Sequence, residues 1–160
     1  MTILKIMCGC PGVGKSHYVK THAKPEDLVV SRDEIRNSII KPGMAYFSRE
    51  SQVFEQFCEK INEGLYKYNI IWVDATHLNN TSRWKLLYGI NRDAFEEIDF
   101  IALEAPLDTC LTRNLNRNGL ARIPSSSIRR MYETYKRPSY NDFLSLKNVK
   151  IEVINNGNDF

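Results

Sequence analysis

Gly9-Cys10-Pro11-Gly12-Val13-Gly14-Lys15-Ser16 follows directly on the apolar run Ile3-Leu4-Lys5-Ile6-Met7-Cys8. The octapeptide has the form G-x-x-x-x-G-K-[ST] of a phosphate-binding loop, the P-loop. A buried strand, a glycine loop and then a helix gather backbone N–H groups and a helix N-terminus around one anion. Gly12 and Gly14 let the backbone fold back toward phosphate oxygens. Gly9, Gly12, Val13, Gly14, Lys15 and Ser16 are therefore the candidate nucleotide-binding residues. Lys15 can reach β- and γ-phosphates as a point charge, and the Ser16 hydroxyl can ligate Mg²⁺. The plain alternative is a tight glycine turn with an accidental lysine.

Outward from this loop, five apolar runs alternate with helix-like segments. They are Ile3 to Cys8, Leu28 to Val30, Ile70 to Val73, Ile98 to Leu103 and Val149 to Ile154. Near-continuous apolar strands separated by helices predict an α/β fold whose parallel sheet is covered on both faces. The first helix begins in the P-loop and ends before Pro25. A second is predicted from Ser48, as N-cap, to Tyr66, with Val53, Phe57, Ile61 and Leu65 on its inner stripe. A third starts near Asn80 or Thr81 and turns Trp84, Leu87 and Ile90 inward. A fourth runs from Leu107 through Arg117. A fifth runs from Ser126 to about Tyr135, stopped by Pro138, with Tyr132 and Tyr135 read as core.

A phosphate cradle implies nucleotide binding and leaves the reaction open. Ser31-Arg32-Asp33-Glu34-Ile35-Arg36 directly follows the second strand. Ligands of open α/β sheets collect beyond the carboxyl ends of the strands, so Asp33 and Arg36 would hang over the crevice that holds Lys15. Asp33 suits a general base drawing a proton from an acceptor hydroxyl. Arg36, one helical turn on, could hold a negative group of the acceptor. The alternative is that Asp33 caps the helix and Arg36 is exposed.

The third strand leads into Asp74-Ala75-Thr76-His77-Leu78-Asn79. An acid here commonly serves a P-loop Mg²⁺, so Asp74 joins Ser16 as a candidate metal ligand. Thr76 and Asn79 could contact substrate or tie down the loop. His77 lacks the partner of a metal ligand and suits a structural or substrate-edge place. Arg113 and Arg117 are four residues apart, so both can project from one face of a lid helix toward transferring phosphate. Gly119 could end that lid. Two surface arginines are the plain alternative.

The 160 residues are enough for one domain, residues 1–160, and 42% hydrophobic with 26% charged residues is ordinary for a soluble chain. No apolar stretch is long enough to span a membrane, and no signal peptide is visible. Cys8, Cys10, Cys58 and Cys110 form no C-x-x-C pair, which suits reduced thiols in the cytoplasm. Cys10 lies in the P-loop, where its oxidation could block nucleotide binding. The net charge of +3 is uneven. Arg113, Arg117, Arg122, Arg129, Arg130, Lys136 and Arg137 face only Glu133 between Thr109 and Arg137, a segment of net +6. That run is either a solvated face or a cover for polyanion. Oligomeric state stays open.

G-C-P-G-V-G-K-S, S-R-D-E-I-R, D-A-T-H-L-N and R-N-L-N-R-N-G, in this order, resemble the 5′-kinase domains of the bacteriophage polynucleotide kinase family of P-loop kinases. The resemblance covers Ile3 to about Tyr135. It implies a five-stranded parallel sheet of order 2-3-1-4-5 with a helical lid, and ATP-dependent transfer to a 5′-hydroxyl of DNA or RNA. It assigns Lys15 and Ser16 to phosphate and Mg²⁺, and Asp33 to the base. It assigns Arg36 and Thr76 to the phosphate after the acceptor nucleoside, and Arg113 with Arg117 to the donor phosphates. The chain departs from the family in placing Asp74 two residues before Thr76 rather than one, and in its stretch Asn37 to Phe47, which would shape the acceptor tunnel and has no match in the family pattern. It carries no D-x-D-x-T motif, so no 3′-phosphatase activity is implied. A kinase of a nucleoside, sugar or antibiotic hydroxyl, and a non-catalytic nucleotide-binding module, are the competing readings.

Overall fold

The computed structural model describes residues 1–119 and 122–157. Strands β1 (Ile3–Cys8), β2 (Leu28–Ser31), β3 (Ile70–Asp74), β4 (Glu97–Glu104) and β5 (Val149–Asn155) form one sheet in the order β2-β3-β1-β4-β5. Every neighbouring pair is parallel, with Ile6 opposite Val73 on one side and Phe100 on the other. Both the parallel sheet and its order match expectation. β1 is central, so the P-loop that leaves it emerges at the middle of the carboxyl edge.

Alternation along β1 divides the core. Leu4, Ile6 and Cys8 enter one apolar cluster, and Met7 enters the other. The first cluster is closed by α2 (Arg32–Ile39), α3 (Glu50–Gly64) and α4 (Asn80–Gly89), through Ile35, Phe57, Ile61 and Leu87. The second is closed by α1 (Lys15–His22), α5 (Leu107–Leu115) and α6 (Ser125–Thr134), through Val19, Cys110 and Ile128. At the edge, β5 has no fully buried residue, unlike β1 and β4, because it has a strand neighbour on one side only.

Several boundaries differ from those read in the sequence. Ser48 is not the N-cap of α3: Arg49 holds that place without a side-chain bond, and the Ser48 hydroxyl donates to Ala45 O at 2.6 Å. A short turn has captured the hydroxyl before the helix can use it. α4 begins where expected, on a reciprocal capping box between Asn79 and Ser82. Trp84 is half-buried, its indole N–H donating to Asp142 O, while Leu87 and Ile90 are buried. On α6 the inward stripe is Ile128, Met131 and Tyr135. Tyr132 falls beside that stripe and is exposed, and Tyr135 is half-buried with its hydroxyl donating to Glu104. Neither tyrosine is core.

Candidate active site

The P-loop is shaped by close approach. Gly12 has φ of +90°, and a Cβ there would lie 2.7 Å from Cys110 O. Gly14, with φ of +98°, caps α1 in the left-handed region. Gly9 N–H donates to Thr76 O at 2.8 Å, which ties the loop to the segment after β3. Val13 is buried beneath the loop. The Lys15 ammonium is buried and turned onto the loop itself, donating to Gly9 O at 2.8 Å and Cys10 O at 3.0 Å. Burial lowers its pKa, and the Asp74 carboxylate pulls the other way. An arriving phosphate would restore the preference for charge.

Ser16 Oγ donates to Asp74 Oδ2 at 2.8 Å. Burial raises the Asp74 pKa, and the Ser16 hydrogen bond and Lys15 charge only partly offset this. One hydroxyl and one carboxylate are hard oxygen donors in contact, which fits Mg²⁺ held by few protein ligands with phosphate and water completing its shell. No cluster of three or more His, Cys, Asp or Glu side chains suited to a metal is present among the described residues.

The second half of the site comes from α2. Ser31 caps this helix by accepting from Glu34 N–H, so Asp33 is released from capping and stands in the first turn. Its carboxylate is mostly exposed and accepts from Arg36 Nη1 at 2.6 Å. Arg36 is buried, contrary to the exposed alternative. Glu50 takes Arg36 Nε at 2.6 Å and Nη2 at 3.0 Å, and it accepts from Arg32 at 3.1 Å as well. Burial opposes the Arg36 charge, but the hydrogen bonds to Glu50 and Tyr46 outweigh it and raise its pKa. Burial likewise works against the Glu50 carboxylate, and its bonds to Arg36 hold it below the usual range.

These two halves enclose a cavity of about 540 Å³ lined by Lys15, Ser16, Asp33, Arg36, Asp74, Thr76 and Arg117, among others. Its size is that of a small-molecule pocket. The Asp33 charge acts on both Lys15 and Asp74, as expected of groups sharing one crevice. Arg113 does not line it. Its guanidinium donates to Gly12 O at 3.1 Å and Asn156 O at 2.8 Å, bracing the P-loop from behind. The expected single lid face is absent because α5 ends at Leu115, and Arg117 lies beyond the Asn116 C-cap. Gly119, the expected end of the lid, has φ of +58°. Of the basic run, Arg137 is engaged by Glu104 at 2.6 Å, and Arg129 and Arg130 are exposed.

His77 is structural. It is buried at φ of +39°, and its Nδ1 bonds Met7 O at 2.8 Å while its ring stacks on Phe57. Burial lowers its pKa to about 4, so the ring is neutral. Cys10 is buried too. Its hydrogen bond with Cys110 and its burial push the thiol above its ordinary pKa, which argues against the redox role.

Glu50 and Arg32 escaped the sequence reading, and Tyr46 and Phe47 end the stretch Asn37 to Phe47, which the family resemblance would place at the acceptor without matching any single residue. Glu50 reaches Arg36 across a 14-residue separation with no periodic signal. Tyr46 and Phe47 had a signal: two adjacent aromatics shortly after the turn residues Pro42 and Gly43.

A family model described as an AAA domain (AAA_33) matches residues 4–138. Among curated proteins, the L-seryl-tRNA(Sec) kinase of Methanococcus maripaludis is 28% identical over 159 residues, covering 94% of this chain and 59% of the relative. The chain thus spans less than two thirds of that relative's length. Among solved structures, a chain of the Pnkp1/Rnl/Hen1 RNA repair complex has a TM-score of 0.69 at 19% identity, over 83% of this chain and 43% of that one. A sugar kinase from Janibacter sp. HTCC2649 has a TM-score of 0.64 at 17% identity, over 97% and 86% of the two chains. At these identities the structural likeness is one of fold.

Proposed function

We propose, given that this chain belongs to the AAA domain family of P-loop kinases, that it is an ATP-dependent phosphotransferase acting on an alcohol. The observation that carries this reading is the shared cavity, with Lys15, Ser16 and Asp74 on one wall and Asp33 and Arg36 on another. The acceptor we assign is a 5′-hydroxyl end of DNA or RNA, supported by the collinear motifs. The curated relative is named as a kinase of a seryl group carried on tRNA, which supports transfer to an alcohol and does not bear on a 5′ end.

In this reading the P-loop amides and Lys15 hold the β- and γ-phosphates, and Lys15 leaves the loop carbonyls to do so. Asp33 takes the proton of the acceptor hydroxyl as its oxygen bonds to the γ-phosphorus. The β–γ bridging bond breaks and ADP departs with the electron pair. Arg117 and Lys15 carry the charge that develops on the phosphoryl oxygens. Mg²⁺, when bound by Ser16 and Asp74, would neutralise the triphosphate. Thr76 and Arg36 border the acceptor.

One observation favours a second reading. The Arg36 guanidinium already gives four hydrogen bonds to Glu50, Asp33 and Tyr46, so little of it remains for an acceptor phosphate. A neutral small-molecule alcohol would need no such contact. Transfer of label from γ-labelled ATP to 5′-hydroxyl oligonucleotides, seryl-tRNA, nucleosides and sugars separates the readings. Labelled oligonucleotide is expected. Label confined to another acceptor leaves a kinase but removes the polynucleotide assignment. ATP binding with no transfer to any acceptor leaves only a nucleotide-binding module.

A further inference from the structure

Phe47 lines the reaction cavity yet is 57% exposed. An exposed aromatic ring on the wall of a ligand-sized cavity is the kind of surface that such cavities offer a ligand. The ring is held firmly from behind. Arg36 lies over one face at 5.3 Å from its centroid, and Tyr46 meets it edge-on at 4.7 Å and 83°. Arg36 is itself anchored by Glu50 and sits over Tyr46 at 5.0 Å. The stack of Tyr46, Arg36 and Phe47 is therefore preorganised, and Phe47 lines the same cavity as Asp33. Arg36, short of spare donors, is poorly placed to recognise the acceptor by hydrogen bonding alone.

We propose that Phe47 is the specificity-determining residue of the acceptor subsite, a stacking platform for the base of the nucleoside whose hydroxyl faces Asp33. This rests on the kinase reading above and names the part of the acceptor that the site grips. Every purine and pyrimidine has a π-face, so the platform selects for a base without selecting its sequence. A sugar or aliphatic alcohol would lack that hold.

The test compares 5′-hydroxyl dinucleotides that carry or lack the first base, the abasic form being a tetrahydrofuran analogue. Wild-type protein binds the base-bearing dinucleotide about tenfold or more tightly, in line with stacking on an aromatic side chain. Phe47→Ala removes that preference by weakening the base-bearing ligand alone, and Phe47→Trp restores it. In turnover the loss falls on KM for the base-bearing acceptor. Equal affinity of the wild-type protein for the two dinucleotides overturns the proposal. So does an equal loss on both in Phe47→Ala, the mark of a structural role. The binding measurement needs no turnover. Absence of phosphate transfer would therefore count against the kinase assignment, while the base-to-abasic ratio independently judges the platform.

Discussion

Ser16 Oγ and Asp74 Oδ2 lie 2.8 Å apart, joining residues separated by 58 positions at the point where β1 and β3 deliver their loops. The bond is between the two groups best suited to a divalent ion, and burial makes the carboxylate's ionised form unfavourable. A site that keeps such a charge holds stability back for function.

Asp74→Asn should therefore divide stability from activity. The raised Asp74 pKa means the folded protein binds this proton more tightly than the unfolded chain. The wild-type protein loses stability, relative to the variant, as pH climbs through that pKa above the ordinary value of 3.8. Nucleotide-free Asp74→Asn should melt at a higher temperature than wild type at pH 7, and the difference should shrink toward pH 4. Its Mg²⁺-dependent turnover should fall by about 10²-fold or more. Thermal scans across pH, paired with transfer assays, check both halves.

Asp33→Asn keeps the size of the side chain and removes the base. Turnover should drop by about 10² to 10⁴-fold, while the affinity for ATP stays near that of wild type because Asp33 lies on the acceptor side. Calorimetric titration of ATP beside single-turnover transfer checks this. Unchanged turnover would remove Asp33 from the chemistry.

Glu50→Gln tests the clamp behind Arg36. A charge-assisted bond to a buried guanidinium is worth about 1.5–3 kcal/mol, less where water screens the half-exposed carboxylate. The Glu50 pKa is lowered in the fold, so its stabilisation is present above the unfolded value of 4.5 and fades as pH falls through the folded one. Denaturant melts should show the variant weaker at pH 7 and nearer to wild type at pH 3. Acceptor KM should rise as the stack of Arg36, Tyr46 and Phe47 loosens.

Gly12→Ala faces two obstacles. Its φ of +90° disfavours a side chain, and the new Cβ would lie 2.7 Å from Cys110 O and 3.0 Å from Cys110 Cα, both backbone atoms that cannot swing aside. The strain of the backbone alone is about 1–3 kcal/mol. A fall in melting temperature with loss of ATP affinity is expected. Gly43→Ala is a control for the backbone term, since it has similar φ and open space around the new Cβ.

The P-loop and the five strands were legible because local pattern encodes them, whereas the sheet order came only from the family resemblance. A glycine motif after an apolar run admits few geometries, and strands covered on both faces read as near-continuous apolar runs. Asp33 and Asp74 were legible because they follow strands whose carboxyl ends bound the crevice. Arg113 was misplaced because a four-residue spacing says two side chains share a face only if the helix reaches both, and α5 stops at Leu115. Tyr132 was misplaced for a related reason: spacing does not say which stripe a packed neighbour will cover.

By itself the sequence determined a P-loop motif after the first strand of a parallel α/β sheet and the residue types around it. Only the tertiary structure decided that Arg36 would be buried on Glu50, that Arg113 would brace the P-loop, and that Phe47 would open into the cavity. Those contacts join residues 14 to 101 positions apart or depend on how a loop closes over a helix. Local propensity carries no information on such pairings, because they arise when packing the sheet faces brings distant segments to one edge.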